Sequence, residues 1–174
     1  MNLKLFKTLW GHQGSLALAI EQAVEAGFDG IEGPVPDAPG EQEILSQQLQ
    51  EAGLEMIAEI TTGGSYVPDP ALSPERHLDD LRRGIERSLT IEPRFINTMA
   101  GLDAWPFATQ VSFFEELLRL EQEFRTTITI ETHRSRSTFT PWVTRDLIRE
   151  LPDLKLNLDF SHWCCVSERL VLHD

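Results

Sequence analysis

One pattern constrains this chain more than any other. A short apolar stretch ending in a polar residue is followed by an amphipathic stretch, and the pair recurs six times. Residues 154–163 (LKLNLDFSHW) show it plainly: Leu154, Leu156 and Leu158 alternate with Lys155, Asn157 and Asp159. A period of two is that of a β-strand with one apolar and one polar face. The polar face ends in Asp159, and His162 follows just past the strand. Residues 126–133 (TTITIETH) repeat the design, with Ile128 and Ile130 on one face, Thr127, Thr129 and Glu131 on the other, and His133 next in phase. Two neighbouring strands of this kind aim Glu131 and Asp159 at one place. The C-terminal ends of strands are where α/β enzymes carry their chemistry.

Taken in order, strands are predicted at about residues 3–10, 28–34, 54–61, 94–99, 126–132 and 154–160. Ser15 is placed to cap a helix running to about Ala26, with Gly27 to end it. A second helix over 41–52 is closed by Gly53, and Ser73-Pro74-Glu75 opens a third that runs to about Leu89. Further helices are predicted within 103–124, over 141–150 and, as a short final one, around 167–172. Strands and helices alternating at this spacing imply a parallel sheet flanked by helices, with right-handed crossovers. An open doubly wound sheet and a (β/α) barrel both fit. The barrel is favoured by polar groups at nearly every strand end (Glu32, Glu59, Asn97, Glu131, Asp159) and by strands with one polar face, where open parallel sheets read as near-continuous apolar runs. The turn after the first strand, GHQG, is not a GxGxxG fingerprint, so dinucleotide binding has no support. A full barrel takes about 250 residues and eight strands. This chain has 174 residues and six predicted strands. The prediction is therefore one domain, residues 1–174, of incomplete TIM-barrel type, with unpaired first and sixth strands whose edges invite homo-oligomerisation.

Hydrophobic residues make up 41% and charged residues 25%, enough for a sizeable core. The formal net charge of -13 repels phosphate backbones and anionic lipid, so neither nucleic acid nor membrane is expected as a partner. The N-terminal stretch MNLKLFKTLWG shows no signal-peptide pattern, and no apolar run approaches the ~20 residues of a membrane span. The two cysteines, Cys164 and Cys165, are adjacent and imply no disulfide framework, which fits a reducing, cytoplasmic setting. GxSxG, P-loop, HExxH and CxxC patterns are all missing.

The stretch ETHRSRSTFTPWVTRDLIRELPDLKLNLDFSHWCCVSERL resembles the sugar phosphate isomerase/epimerase family of xylose-isomerase-like barrels. FINTMAGLDAWPF is similar to that family's fourth-strand segment and FKTLWG to its first strand. The resemblance implies a TIM barrel with a divalent metal (Mn2+, Mg2+ or Zn2+) at its C-terminal mouth. Glu131 and Asp159 match the ligands of the fifth and sixth strands, and His162 matches a histidine that binds substrate or metal in relatives. Strands seven and eight have no counterpart in these residues, so the resemblance implies an incomplete site, a weakly held ion and little activity from this chain alone.

Pattern alone leaves Asp159 open between metal ligand and helix cap; the resemblance points to ligand. Glu131 on an interior face needs a metal or Lys155 to meet its charge. His162 and Glu131 are the candidate catalytic groups. His133, Arg134, Trp10, His12, Glu32 and Asn97 are candidate substrate contacts, though Glu32 and Glu59 have Lys4 and Lys7 as alternative partners. Arg134 and Arg136 suit a phosphate or carboxylate, or surface ion pairs. His77, on an amphipathic helix, is expected at the surface. The leading reading is a metal-dependent sugar or sugar-phosphate isomerase or epimerase. In that chemistry an ion binds the carbonyl and hydroxyl oxygens of a small polyhydroxy carbonyl compound, an enediolate forms, and a carboxylate moves the proton. The alternatives are a non-catalytic truncated barrel that associates through its edges and a relative of the AP-endonuclease branch.

Overall fold

In a computed structural model, described here for residues 3–170, six strands and six helices alternate along the chain. The strands are β1 (Phe6–Thr8), β2 (Gly30–Pro34), β3 (Glu55–Thr61), β4 (Phe95–Met99), β5 (Ile128–Glu131) and β6 (Lys155–Asn157). The helices are α1 (Leu16–Glu25), α2 (Pro39–Ala52), α3 (Pro74–Leu89), α4 (Phe107–Phe124), α5 (Pro141–Glu150) and α6 (Phe160–Ser167). The strands form one open parallel sheet in the order β1-β2-β3-β4-β5-β6. That sequential order is the barrel order; a doubly wound sheet would insert β1 between later strands. Among the described residues no helix is long and apolar enough to cross a membrane.

The chain divides into two compact units, Met1–Glu59 with Gly84–Ile96, and Ile60–Arg83 with Asn97–Asp174. In the first, Ser15 caps α1 by accepting from the Leu18 amide, and Ala19, Ile20 and Ala23 form the buried face. Gly30 is required in β2, because a Cβ there would lie 2.3 Å from the Glu55 carbonyl oxygen and 2.4 Å from the Phe6 ring. Asp29 closes the entry to β2, exchanging backbone and side-chain bonds with Leu5 at 2.7 Å each. Glu55 pairs with Lys4 and with Arg94. Hydrogen bonding from Lys4 holds its carboxyl below the usual range, against the opposing effect of burial.

The second unit packs Phe113, Phe114 and Leu117 of α4 and Leu147 of α5 with Ile128 and Ile130 of β5, all nearly or fully buried. Thr140 caps α5 through the Val143 amide. Glu121 of α4 accepts from the first amide of β5, Ile128 N, and from the Lys155 ammonium. Lys155 is thus engaged on an exposed surface.

The chain departs from its predicted pattern near its end. β6 stops at Asn157, and Asp159 becomes the N-cap of α6, which begins at Phe160. Leu158 therefore leaves the strand's alternation and is half exposed. His162, expected just past a strand, stands in the first turn of a helix. The final helix predicted around 167–172 begins seven residues earlier, and Glu168 terminates it in a left-handed conformation (φ 52°). Residues 171–172 lie outside the described part.

Candidate metal centre

The centre is built by β5 and the residues that follow it. Ile128 and Ile130 take the buried face, which leaves Thr129 and Glu131 half-buried on the other. Glu131 is in register with Asn157 of β6. One carboxylate oxygen, Oε2, accepts a 2.7 Å hydrogen bond from Nδ2 of Asn97 in β4, and Oδ1 of Asn97 accepts from the Thr129 hydroxyl at 3.3 Å.

Thr132 shares the buried phase of Ile130 and is itself fully buried. Its hydroxyl donates to the Asp159 carbonyl (3.0 Å) and accepts from the Asp159 amide (2.7 Å). This double bond to the backbone fixes where α6 starts. Asp159 then caps α6 through Oδ1, which accepts from the Ser161 amide at 2.8 Å. Burial pushes its carboxyl up, but the Ser161 hydrogen bonds and the nearby imidazoles outweigh it and hold the pKa below the usual value.

His133 and His162 meet with ring centroids 3.9 Å apart, tilted by 43°. His133 Nδ1 lies 2.6 Å from the Arg134 carbonyl oxygen. A carbonyl can only accept, so Nδ1 carries the proton and Nε2 keeps its lone pair. Burial pushes the His133 pKa down to about 4. Burial also lowers His162, opposed by Asp159 and reinforced by Arg134. Both rings are therefore neutral near pH 7, the form a metal needs.

Glu131, His133 and His162 each bring a ligand atom within 4.8 Å of the others. His162 Nε2 and Asp159 Oδ2 lie 3.5 Å apart. That is long for a hydrogen bond. It is close to the ~3.4 Å that separates two ligands on one ion at about 2.1 Å each. Carboxylate and imidazole donors suit Zn2+ or Mn2+ better than the all-oxygen shell preferred by Mg2+. The residues present thus fit a divalent ion.

Other predicted positions fall elsewhere. Arg134 is exposed beside the centre, and Asn97 is fully buried. Trp10, His12 and Glu32 belong to the first unit. Trp10 is 73% exposed and, with Lys7 and His12, lines an open cavity of about 560 Å³. Glu32, in β2, is in register with Thr8. His162's neighbour Trp163 is buried and donates from Nε1 to the Thr138 carbonyl at 2.9 Å.

Two residues correct the sequence reading. Arg136 is no surface or anion-binding arginine. It is fully buried, and its guanidinium donates to the backbone carbonyls of Thr62 (2.6 Å), Ser65, Tyr66 (3.3 Å) and Gly101 (3.4 Å). Burial lowers its pKa to about 10, opposed by the Glu131 charge, so it stays cationic at neutral pH. His77 is not at the surface. It is fully buried, with Nδ1 2.8 Å from the Thr62 hydroxyl and its ring edge-on to Trp105. Gly63 makes room for it, since a Cβ there would meet the ring at 2.4 Å. Burial and the Arg136 charge push the His77 pKa down to about 4. The one sequence signal for Thr132 was its phase: a hydroxyl on an apolar strand face needs partners.

A parallel sheet of sequential βα units, with carboxylate and imidazole donors gathered where its strands end, defines an α/β protein of TIM-barrel type. The sequence matches the xylose isomerase-like TIM barrel family over residues 20–170, and the chain belongs to that family. No curated protein matches it in sequence. Among solved structures it is similar to the probable 3-DHS dehydratase AsbF from Bacillus anthracis (20% identity, TM-score 0.70), covering 96% of this chain and 66% of that one. It is similar to the IOLI protein with a bound zinc atom (14% identity, TM-score 0.71, 92% and 64%). It is also similar to the 3-keto-D-glucoside 4-epimerase YcjR from E. coli (17% identity, TM-score 0.70, 96% and 72%). At these identities the likeness is one of fold. The chain spans roughly two thirds of the length of these structures.

Proposed function

We propose that this chain carries the metal-binding part of a sugar or sugar-phosphate isomerase or epimerase. The observation that carries the reading is the convergence of Glu131, His133 and His162 within 4.8 Å, with both imidazoles held neutral by burial. Glu131, His133 and His162 would hold the ion, and Asp159, outside that cluster but with Oδ2 3.5 Å from His162 Nε2, would be a further ligand. A divalent ion held there would supply charge to polarise a substrate's carbonyl and adjacent hydroxyl oxygens and so acidify the C–H beside the carbonyl. Glu131, with Oε2 held by Asn97, would be a ligand of the ion or accept a substrate proton. Arg134, exposed beside the two histidines, supplies a fork for a substrate phosphate or carboxylate. A small polyhydroxy carbonyl compound suits this set of groups, and the epimerase among the similar folds supports that substrate class. The net charge of -13 speaks against the nucleic-acid branch of the fold. Free, adjacent Cys164 and Cys165 accord with a cytoplasmic setting.

The test is titration calorimetry with Mn2+ and Zn2+, paired with solvent proton exchange into a panel of ketoses and their phosphates. Residues 1–174 are expected to bind the ion weakly and to exchange slowly, because strands seven and eight of a full barrel are not among them. Asp159→Asn and Glu131→Gln should each weaken the ion further. No detectable binding, or binding unchanged in both variants, would overturn the reading.

A further inference from the structure

Asn97 is fully buried in β4, and its amide joins two groups of β5. Glu131, when ionised, only accepts hydrogen bonds, so the 2.7 Å contact fixes Nδ2 as the atom facing it. Oδ1 then faces Thr129, whose hydroxyl has a proton to give at 3.3 Å. The relay runs Thr129 hydroxyl to Asn97 carbonyl, and Asn97 amide to Glu131 carboxylate. A primary amide can receive at one end and donate at the other. An aspartate at 97 would set two carboxylates against each other, and a leucine of the same size would offer nothing. A glutamine would carry its amide one methylene too far.

We propose that Asn97, oriented by Thr129, is a positioning residue that presets the Glu131 carboxylate for a divalent cation; this rests on the metal-binding reading above. A glutamate at the end of a strand has three rotatable side-chain bonds, and a ligand left to swing must be ordered each time the ion binds. The charge-assisted bond to Oε2 restricts that freedom and helps hold the carboxylate within 4.8 Å of the His133 and His162 ligand atoms. Asn97 has no proton to exchange near neutral pH and does not touch the ion. Its effect is on the ligand's direction, and so on affinity.

Mn2+ affinity of the chain, read by calorimetry and by the electron paramagnetic resonance of free Mn2+, tests this alongside the thermal unfolding of the metal-free protein. Asn97→Leu should lower affinity about 10–100-fold, the usual effect of losing a ligand's supporting partner. Thr129→Val should lower it several-fold, and Thr129→Ser, which keeps the hydroxyl, should restore it. A role confined to packing would lower the unfolding temperature in these variants and leave the affinity of the folded fraction unchanged; that result overturns the proposal. If Asn97→Leu does not fold, the contrast between Thr129→Val and Thr129→Ser decides, with equal affinities counting against it. Glu131→Gln separates the two readings. If it also leaves Mn2+ affinity unchanged, the metal assignment itself has failed and the positioning role falls with it. If it weakens binding while the Asn97 and Thr129 variants do not, the positioning role alone is overturned.

Discussion

Thr132→Val is the sharpest test of how this site is held. Valine keeps the shape of threonine and removes only the hydroxyl, which here donates to the Asp159 carbonyl at 3.0 Å and accepts from the Asp159 amide at 2.7 Å. Each bond contributes about 1 kcal/mol net, and a backbone group left unpaired away from water adds to the loss. Asp159 is partly wet, so the lower end applies and the total is about 2 kcal/mol. For a chain of this size each kcal/mol moves the unfolding midpoint by about 2–4 °C, so a drop of about 4–8 °C is expected by calorimetry or circular dichroism. Thr132→Ser keeps the hydroxyl and loses one methyl, and should fall less than the valine variant. Because the same bonds set the start of α6, the valine variant should also bind Mn2+ more weakly. A valine variant that unfolds within about 1 °C of the parent would refute the claim that this hydroxyl pins the turn.

Metal-free stability should decline as pH falls from about 6.5 to about 4. His77 and His133 have folded pKa values of about 4 against an ordinary 6.5, so the unfolded chain binds more protons in that window; urea midpoints measured across it are the check. The Arg136 cation, which helps depress both histidines, keeps its charge throughout this range, while the Asp80 carboxylate opposes the shift at His77. Arg136→Met should destabilise the fold, since each buried carbonyl left unpaired costs about 1–3 kcal/mol, and Arg136→Lys should not rescue it, since an ammonium cannot span the same carbonyls. The edge strand β6, with Leu158 and Phe160 about half exposed beside it, should drive concentration-dependent association in sedimentation, and Leu158→Lys should suppress it.

Much of the fold was legible because local signals agreed with the global pattern. Ser15 and Gly27 bracket α1, Pro74 opens α3 and Pro141 opens α5, each where capping chemistry placed them. The end of β6 was not legible. Leu158 and Phe160 extend an apolar alternation, and the hydroxyl of Thr132, just past β5, together with the Asp159 cap turns the chain into a helix. Of the candidate site, only the Glu131 and His133 pair is local, at the end of β5 and just past it; His162 comes from the first turn of α6. The supporting set could not be read. Asn97 and Arg136 find their partners 34 and 74 residues away, and neither residue type announces whether it will meet solvent or a buried carbonyl.

The buried guanidinium also orders events in time. Thr62 and Ser65 are synthesised 74 and 71 residues before Arg136. At about 5–20 residues per second, their carbonyls wait roughly 4–15 s for the donor that satisfies them. Until then these carbonyls have only water to satisfy them, although other bonds of the loop after β3, such as Gly63 N to Asp80 and Asp69 N to the Gly63 carbonyl, can already form. Nascent chains stalled before residue 136 should be cut there by protease, and chains released beyond it should resist. The segment that follows β5 thus closes a structure begun far upstream, and a codon that slows translation between them lengthens the time in which this loop is open to cleavage.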